Sequence, residues 1–535
     1  MPATPSVEKL FGSAKRAVRN QNWPSAYDAY ATVLKRFPAN VRAKRALQDL
    51  KPKALPAILT SAQKFQGAGE WVQAERHLRI AADLAPEITE VQLALAACQL
   101  ELGRAPAALR TADRILQRHP QNRQALIYKG RAAREMGLNS AAERSFLAAL
   151  QAGQPDANTL NNLGITARAR GDTTAAIEHY QQALALDPDN VELHQNLAQA
   201  KSYTADDPHL AEMRTLATRL VATRKPTAPL HFALFKALDD AGQPDEAFRF
   251  LQSANRMAKE QAPYDFQADA IAYAVSKSIL KTPMLAQPTD AITPRPIFVT
   301  GLPRSGTTLV ERILTMDPEV QAGGEMTVTQ LAVGTMLKTV MGRDDKRLGT
   351  ADLNELRAEI SAGLAEYTDG RPVIIDKTPL NFRWIGYICA ALPEARIVHV
   401  SRDPASVAWS LYRLSFNGGG NGFIYDFSDI AKFMVLHRNF MAHWQAIYPN
   451  RIFDLGYEAL IANPESETRA LAAATGLNWT EDWLHPEKAT NQVLTASSDQ
   501  VRKPMYQGSN AQWQRYENHL KPMIRQLQDA DLLDG

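Results

Sequence analysis

The chain carries two different rhythms of apolar and polar positions. In the first half, glycines recur every 34 residues, at Gly69, Gly103, Gly137 and Gly171. Ala74, Ala108, Ala142 and Ala176 each follow five positions later, and a proline closes each unit at Pro86, Pro120, Pro155 and Pro188. Gly130 and Gly164 precede the third and fourth of these glycines by seven positions, and Leu78, Phe146 and Tyr180 recur as large residues. The pattern predicts repeated helix–turn–helix units. Glycine permits the tight turn, alanine lets the two helices approach closely, and the large side chain fills the groove beside it. Proline stops the second helix, because it lacks the amide donor and clashes with the preceding turn. Ala26, Tyr30 and Pro38 carry the register toward the start, with Gln21 at the glycine position, and Gly242 and Ala247 mark a further unit displaced by three residues. The array is expected over residues 5–275. Each unit exposes an apolar face that only a neighbour covers, so the units should stack into an all-α solenoid.

The second rhythm begins after KTPMLAQPTDAITPRP (281–296), where Pro283, Pro288, Pro294 and Pro296 interrupt any helix and predict a linker over 276–295. Short apolar runs follow: PIFVT (296–300), PVII (372–375), RIVHVS (396–401) and RIFDLGY (451–457). Helix-like stretches separate them. Strands alternating with helices predict an α/β domain over 296–530 with a mostly parallel sheet, its ligand sites at the carboxyl ends of the strands.

Length and charge narrow the function. A chain of 535 residues is too long for one core, so two or more domains are expected. The balance of 60 Lys+Arg against 57 Asp+Glu leaves a net charge of +3, too weak to argue for nucleic-acid or membrane-surface binding. Cys98 and Cys389 exclude a disulfide framework and a cysteine zinc cluster, and fit a reducing compartment. No apolar run reaches the ~20 residues of a membrane span, and the amino-terminal stretch lacks the apolar core of a secretion signal. A cytoplasmic location is the expectation.

The 34-residue units resemble the tetratricopeptide repeat. The resemblance implies a concave face that holds an extended peptide or partner protein; a dimerisation surface or rigid spacer is the alternative.

IFVTGLPRSGTTLVERIL (297–314) reads as strand, glycine loop, helix. Gly301 and Gly306 are spaced as in G-x-x-x-x-G-K-[ST], a loop whose amides and helix amino terminus cradle a phosphate-like anion. The lysine position is occupied by Thr307, followed by Thr308, and the positive charge stands earlier, at Arg304. A nucleoside triphosphatase or kinase needs the lysine on its outer phosphates, so a P-loop kinase is disfavoured, and Asp376 as a magnesium ligand with it.

PRSGTT (303–308) resembles the 5′-phosphosulfate loop of the sulfotransferases, which use 3′-phosphoadenosine 5′-phosphosulfate as donor in a fold related to the P-loop kinases. The resemblance implies donor contacts at Arg304, Ser305, Gly306, Thr307 and Thr308. RIVHVSRDPASVAWSLY (396–412) resembles the family's 3′-phosphate motif, with Arg402 at a strand end and Ser410 eight residues on. A guanidinium suits forked recognition of a phosphate, and Asp403-Pro404 suits a helix start. RIFDLGYEAL (451–460) resembles the strand beside the nucleotide, which makes Tyr457 a donor contact, although Ala459 stands where aspartate is common. TASSDQVRKPMY (495–506) resembles a loop closing over the donor, and Ser497 matches a serine that touches the phosphosulfate. Arg502-Lys503 there adds positive potential or is a solvated turn. The lysine that precedes the next tryptophan in the protein-tyrosine branch is Gln512 here, before Trp513.

Sulfuryl transfer is an in-line displacement that requires removal of the acceptor proton and charge stabilisation on the leaving oxygen. In the protein-tyrosine branch a glutamate matching Glu325, in DPEVQAGGEMT (317–327), is the general base; burial would raise and Arg304 would lower its pKa. A helix-capping carboxylate is the alternative. Lys377, in PVIIDKTPLNF (372–382), matches a lysine of the family's Asp-Lys-Thr/Asp-Pro segment and with Arg304 would meet the leaving oxygen, so the catalytic set is Glu325, Arg304, Lys377 and Ser497. No His/Cys/Asp/Glu cluster has metal-ligand spacing, and no metal is expected. His399, in an apolar strand, reads as a satisfied core residue. NGGGNG (417–422) reads as a flexible loop beside the acceptor or a plain surface loop. The whole chain resembles a tetratricopeptide-repeat sulfotransferase, acting on an acceptor hydroxyl that the sequence leaves open. A repeat scaffold with an inactive nucleotide-binding domain is the alternative.

Overall fold

The computed structural model describes residues 5–223, 225, 227–287, 290–415, 421–489 and 512–533. By compactness the chain divides into two units, Met1–Pro155 and Asp156–Gly535.

The first unit is four helical pairs: α1 Val7–Arg19 with α2 Trp23–Arg36, α3 Val41–Gly67 with α4 Trp71–Leu84, α5 Thr89–Glu101 with α6 Ala105–Arg118, and α7 Arg123–Glu135 with α8 Asn139–Gln151. The repeat chemistry acts as the pattern predicts. Ala26, Ala74, Ala108 and Ala142 are fully buried where the helices meet. A Cβ at Gly130 would stand 2.6 Å from the Phe146 ring, so this position admits only hydrogen. The register holds even where glycine is missing, because Gln21 takes the left-handed φ of +54° at the turn. The wider spacing between Gln21 and Gly69 is taken up by α3, which runs 27 residues against 13 for α5 and α7.

The second unit opens with α9 Ala157–Arg170, α10 Thr173–Leu186, α11 Val191–Ala200, α12 Pro208–Ala222, α13 Ala228–Asp240, α14 Pro244–Gln261 and α15 Phe266–Ile279. The α/β part follows: β1 Arg295–Gly301, α16 Thr307–Leu314, β2 Val320–Ala322, α17 Val328–Met341, α18 Thr350–Ala365, β3 Val373–Asp376, α19 Ile385–Ala391, β4 Arg396–Ser401, α20 Pro404–Tyr412, α21 Phe427–Ile447, β5 Ile452–Gly456, α22 Tyr457–Ala462, α23 Pro464–Thr475 and α24 Glu517–Asp529. The expected fold class is therefore the observed one, helical repeats followed by a parallel-sheet α/β domain. The sheet has five strands in the order β2-β3-β1-β4-β5, and every pairing is parallel. The four apolar runs became β1, β3, β4 and β5. The three-residue edge strand β2 was too short to leave a pattern.

Side chains on β1 alternate between two cores, as a strand's two-residue period requires. Ile297 and Val299 pack among α16 and α23 residues, whereas Phe298 faces the core shared with α19 and α21. That second core extends without a break into the repeats: Leu230, Phe232, Phe235, Phe248 and Leu251 belong to it. Phe235 of α13 meets Trp409 of α20 edge-on at 6.2 Å. From α14, the Asn255 amide donates to the Tyr412 carbonyl at 2.9 Å. The described residues of the proline-dense segment before β1 are in no helix or strand, and they are laced to the α/β part. The Ala286 amide donates to Ala390 O at 2.7 Å, and the Tyr448 hydroxyl donates to Met284 O at 3.0 Å.

Candidate active site

Strand β1 lies in the middle of the sheet, with β3 on one side and β4 on the other. The chain leaves β1 toward β2, and β4 opens the opposite edge, so the strand order reverses beside β1. In open parallel sheets that reversal makes a crevice at the carboxyl ends. Arg304, Glu325, Lys377, Arg402 and Tyr457 follow β1, β2, β3, β4 and β5 in turn and stand there.

The loop after β1 is tightly bent. Arg304 has φ +75° and Gly306 φ +109°. A Cβ on Gly306 would lie 2.5 Å from the Tyr457 ring, so the backbone approach itself requires glycine. Ser305, Thr307 and Thr308 are buried. The Ser305 hydroxyl is buried with no hydrogen-bond partner, and among the described residues no carbonyl accepts from the Gly306 or Thr307 amides. An unsatisfied hydroxyl beside open amides at a helix amino terminus is a seat for an anion.

Arg402 follows β4. Its guanidinium lies over the Tyr457 ring at 4.4 Å and donates to the Arg304 carbonyl at 3.2 Å. Asp403 caps α20, accepting from the Ser406 amide at 2.7 Å, with Pro404 in the first turn. That helix carries Ser410, whose hydroxyl accepts from Arg304 Nε at 2.8 Å. The sequence reading assigned Arg304 and Ser410 to opposite ends of the nucleotide; the structure brings them into contact. Burial, and then the neighbouring Arg413 and Arg402, push the Arg304 guanidinium down to about 9. Arg413 escaped the sequence reading. Its signal was helical spacing, since it lies three residues beyond Ser410 on the same face.

On the other side, Lys377 follows β3 and is almost completely buried, and its ammonium meets Glu325 Oε1 at 2.7 Å. Glu325 itself is 53% exposed. Its carboxylate therefore faces solvent rather than being buried, and the turn at Gly323-Gly324 carries it just beyond the carboxyl end of β2. Asp376 accepts from Thr378, Asn381 and Thr329 and is fully buried, which pushes it up to about 7. With its oxygens turned into the protein, it is not arranged as a magnesium ligand. His399 bonds Asp454 at 2.6 Å and His437 at 3.1 Å, a satisfied core residue as its apolar strand implied. Ser497, Arg502 and Lys503 lie outside the described residues, as do residues 417–420 of the glycine loop and the side chain of Gln512. Among the described residues no group of three or more His, Cys, Asp or Glu is placed to hold a metal ion.

A helical repeat array joined to a parallel α/β fold, whose first strand runs into a glycine-bounded anion loop, defines a repeat protein with a phosphate-type binding site. Comparison with known proteins makes the class specific. Residues 296–481 match the sulfotransferase family, and residues 65–127 and 164–202 match tetratricopeptide repeats. The chain thus pairs stretches that match tetratricopeptide repeats with one that matches the sulfotransferase family. An uncharacterised protein of Aquifex aeolicus is 32% identical over 67% of this chain and 49% of its own length. The chain therefore spans about half the length of that relative. Protein-tyrosine sulfotransferase 2 of Gallus gallus is 22% identical over 43% of this chain and 68% of its own. The Drosophila melanogaster protein-tyrosine sulfotransferase is 26% identical over 41% of this chain and 46% of its own. No helix among the described residues is long and apolar enough to cross a membrane.

Proposed function

We propose that this chain is a sulfotransferase that moves a sulfuryl group from 3′-phosphoadenosine 5′-phosphosulfate to an acceptor hydroxyl, in the cytoplasm, with the repeat array holding a protein or peptide partner or substrate. One observation carries the reading: three arginines, Arg304, Arg402 and Arg413, interact at the carboxyl ends of β1 and β4, beside the unpartnered Ser305 hydroxyl. Clustered like charges with an orphaned hydroxyl make a site that a polyanion relieves.

The residues divide the work. Arg402 and Ser410 hold the 3′-phosphate, with Tyr457 against the nucleotide. Arg304, the loop 305–308 and the amino terminus of α16 hold the phosphosulfate, and Ser497 would complete that end. Glu325, exposed at the mouth, takes the proton from the acceptor hydroxyl. The acceptor oxygen then bonds sulfur as the bond from sulfur to the bridging phosphate oxygen breaks. The electron pair stays on that oxygen, where Lys377 and Arg304 stabilise the growing charge. Both cysteines, Cys98 and Cys389, are buried free thiols, which suits a reducing compartment.

The test is donor turnover by the full chain against phenols, sugars, lipids and peptides, with calorimetry of adenosine 3′,5′-bisphosphate binding. Arg402→Ala should weaken donor binding and slow transfer, whereas a scaffold would keep its protein complexes. Absence of bisphosphate binding to the folded chain would sink the proposal.

A further inference from the structure

The helix behind the anion loop contains a buried carboxylate that the scheme above does not use. Glu311 of α16 is 7% exposed, in a helix whose eight residues are all buried. It stands four residues after Thr307 and three after Thr308, and so on the face that carries the loop threonines. A buried carboxylate needs hydrogen bonds or a counter-charge. Glu311 has both. Its Oε1 accepts from the Gly324 amide at 3.1 Å, and it interacts with the buried Lys377.

The turn it grips is the one that delivers Glu325. Gly324 has φ +66°. The Gly323 amide donates to Ile375 O at 2.9 Å, and Gly324 O accepts from the Lys377 amide at 2.8 Å. Strand β3 therefore pins this turn from one side and Glu311 pins it from the other. Through Glu311, the helix that follows the anion loop is tied to the turn that carries Glu325.

The charges give the contact a second role. Lys377 is faced by three carboxyl groups, Glu325, Glu311 and Asp376. Burial pushes Asp376 up to about 7, which weakens it as a counterion at neutral pH. Burial raises Glu311 as well and Glu325 adds to that, but Lys377 first, then the Gly324 amide and Arg312, favour its charged form, and the Arg312 guanidinium is itself committed to the carbonyls of Pro486, Glu487 and Ala489. When Glu325 accepts a proton it loses its charge. At that moment Lys377 must remain an ammonium, because negative charge is growing on the leaving oxygen.

We propose that Glu311 is a positioning residue: it fixes the Glu325 turn and is the second counterion that keeps Lys377 charged once Glu325 is protonated. The inference rests on the sulfotransferase reading and extends it to a group outside the donor-contact set.

Glu311→Gln in the full chain tests it, because glutamine keeps the acceptor for the Gly324 amide and removes only the charge. With the acceptor turned over fastest among phenols, sugars, lipids and peptides, kcat should fall about tenfold while bisphosphate affinity stays within about threefold. The basic limb of the kcat–pH profile should move down by about one unit or more. Lys377→Arg added to Glu311→Gln should return that limb toward wild type, because a guanidinium stays charged without the counterion. Should Glu311→Gln fail to fold, Glu311→Asp keeps the charge, and its basic limb should stay at the wild-type position even where the rate falls. An unshifted limb and wild-type kcat in Glu311→Gln overturn this inference alone, as does a shifted limb in Glu311→Asp. Failure of the wild-type chain to turn over donor with any acceptor overturns the sulfotransferase reading and this inference with it.

Discussion

Replacing Phe235 by alanine probes whether the last repeats are part of the catalytic fold or a module attached to it. Phe235 lies on α13, 5% exposed. Its ring meets Trp409 at 6.2 Å and 87°, and Tyr516 at 6.3 Å and 54°. Trp409 sits one residue before Ser410, so the contact backs the helix that holds a proposed phosphate ligand. Truncating a buried phenylalanine to alanine costs about 3–5 kcal/mol through lost transfer energy and the cavity left behind. Because one continuous core runs from α11 to α24, that cost should fall on the unfolding of the α/β part. With a urea slope of about 3 kcal/mol/M for a unit of this size, the midpoint should drop by roughly 1 M or more. The assay is urea unfolding with and without adenosine 3′,5′-bisphosphate, which marks the transition of the part that binds it. Phe146→Ala is the comparison. Phe146 is fully buried in the first unit, and its loss should leave the bisphosphate-sensitive transition in place. If Phe235→Ala shifted only a bisphosphate-insensitive transition, the repeats from α11 onward would be an independent module and the shared-core argument would be wrong.

Other perturbations have equally defined outcomes. Arg402→Ala should weaken bisphosphate binding by about ten- to a hundredfold, the worth of roughly 1.5–3 kcal/mol for a charged hydrogen bond, with an unchanged circular dichroism spectrum. Gly306→Ala places a Cβ at 2.5 Å from the Tyr457 ring on a backbone with φ +109°; calorimetry should show bisphosphate affinity reduced with little loss of helix content. Gly164→Val should lower the midpoint of thermal unfolding, since its Cβ would lie 2.4 Å from the Tyr180 ring. Burial, with His194 beside it, pushes His209 down to about 4. The unfolded chain therefore takes up a proton there that the folded chain refuses, and this stability is present above pH ~6.5 and lost as the pH falls toward 4. His209→Phe should flatten the pH dependence of the urea midpoint across that window.

The repeat register was legible because each position answers to a local demand. A left-handed turn, a close helix approach and a helix stop each select a residue type, and those demands return with every unit. The demand even outlived the glycine at Gln21, where the backbone keeps the turn and the side chain tolerates it. The anion loop was legible for the same reason, because Gly306 is dictated by its own φ and by the ring beside it. The strands β1, β3, β4 and β5 showed themselves as apolar runs, whereas β2 is held by its neighbour β3 rather than by any pattern of its own.

What only the tertiary structure decided concerns partners far apart in the chain. Arg304 and Ser410 stand 106 positions apart and share a hydrogen bond. Lys377 and Glu325 form their ion pair across 52 positions. Glu311 went unnoticed in the sequence, because its partner, the Gly324 amide, stands 13 positions away. A local pattern records what a residue needs from its immediate backbone. It does not record which distant group will satisfy a buried charge, because that partner is chosen by the strand order that brings separate loops to one edge of the sheet.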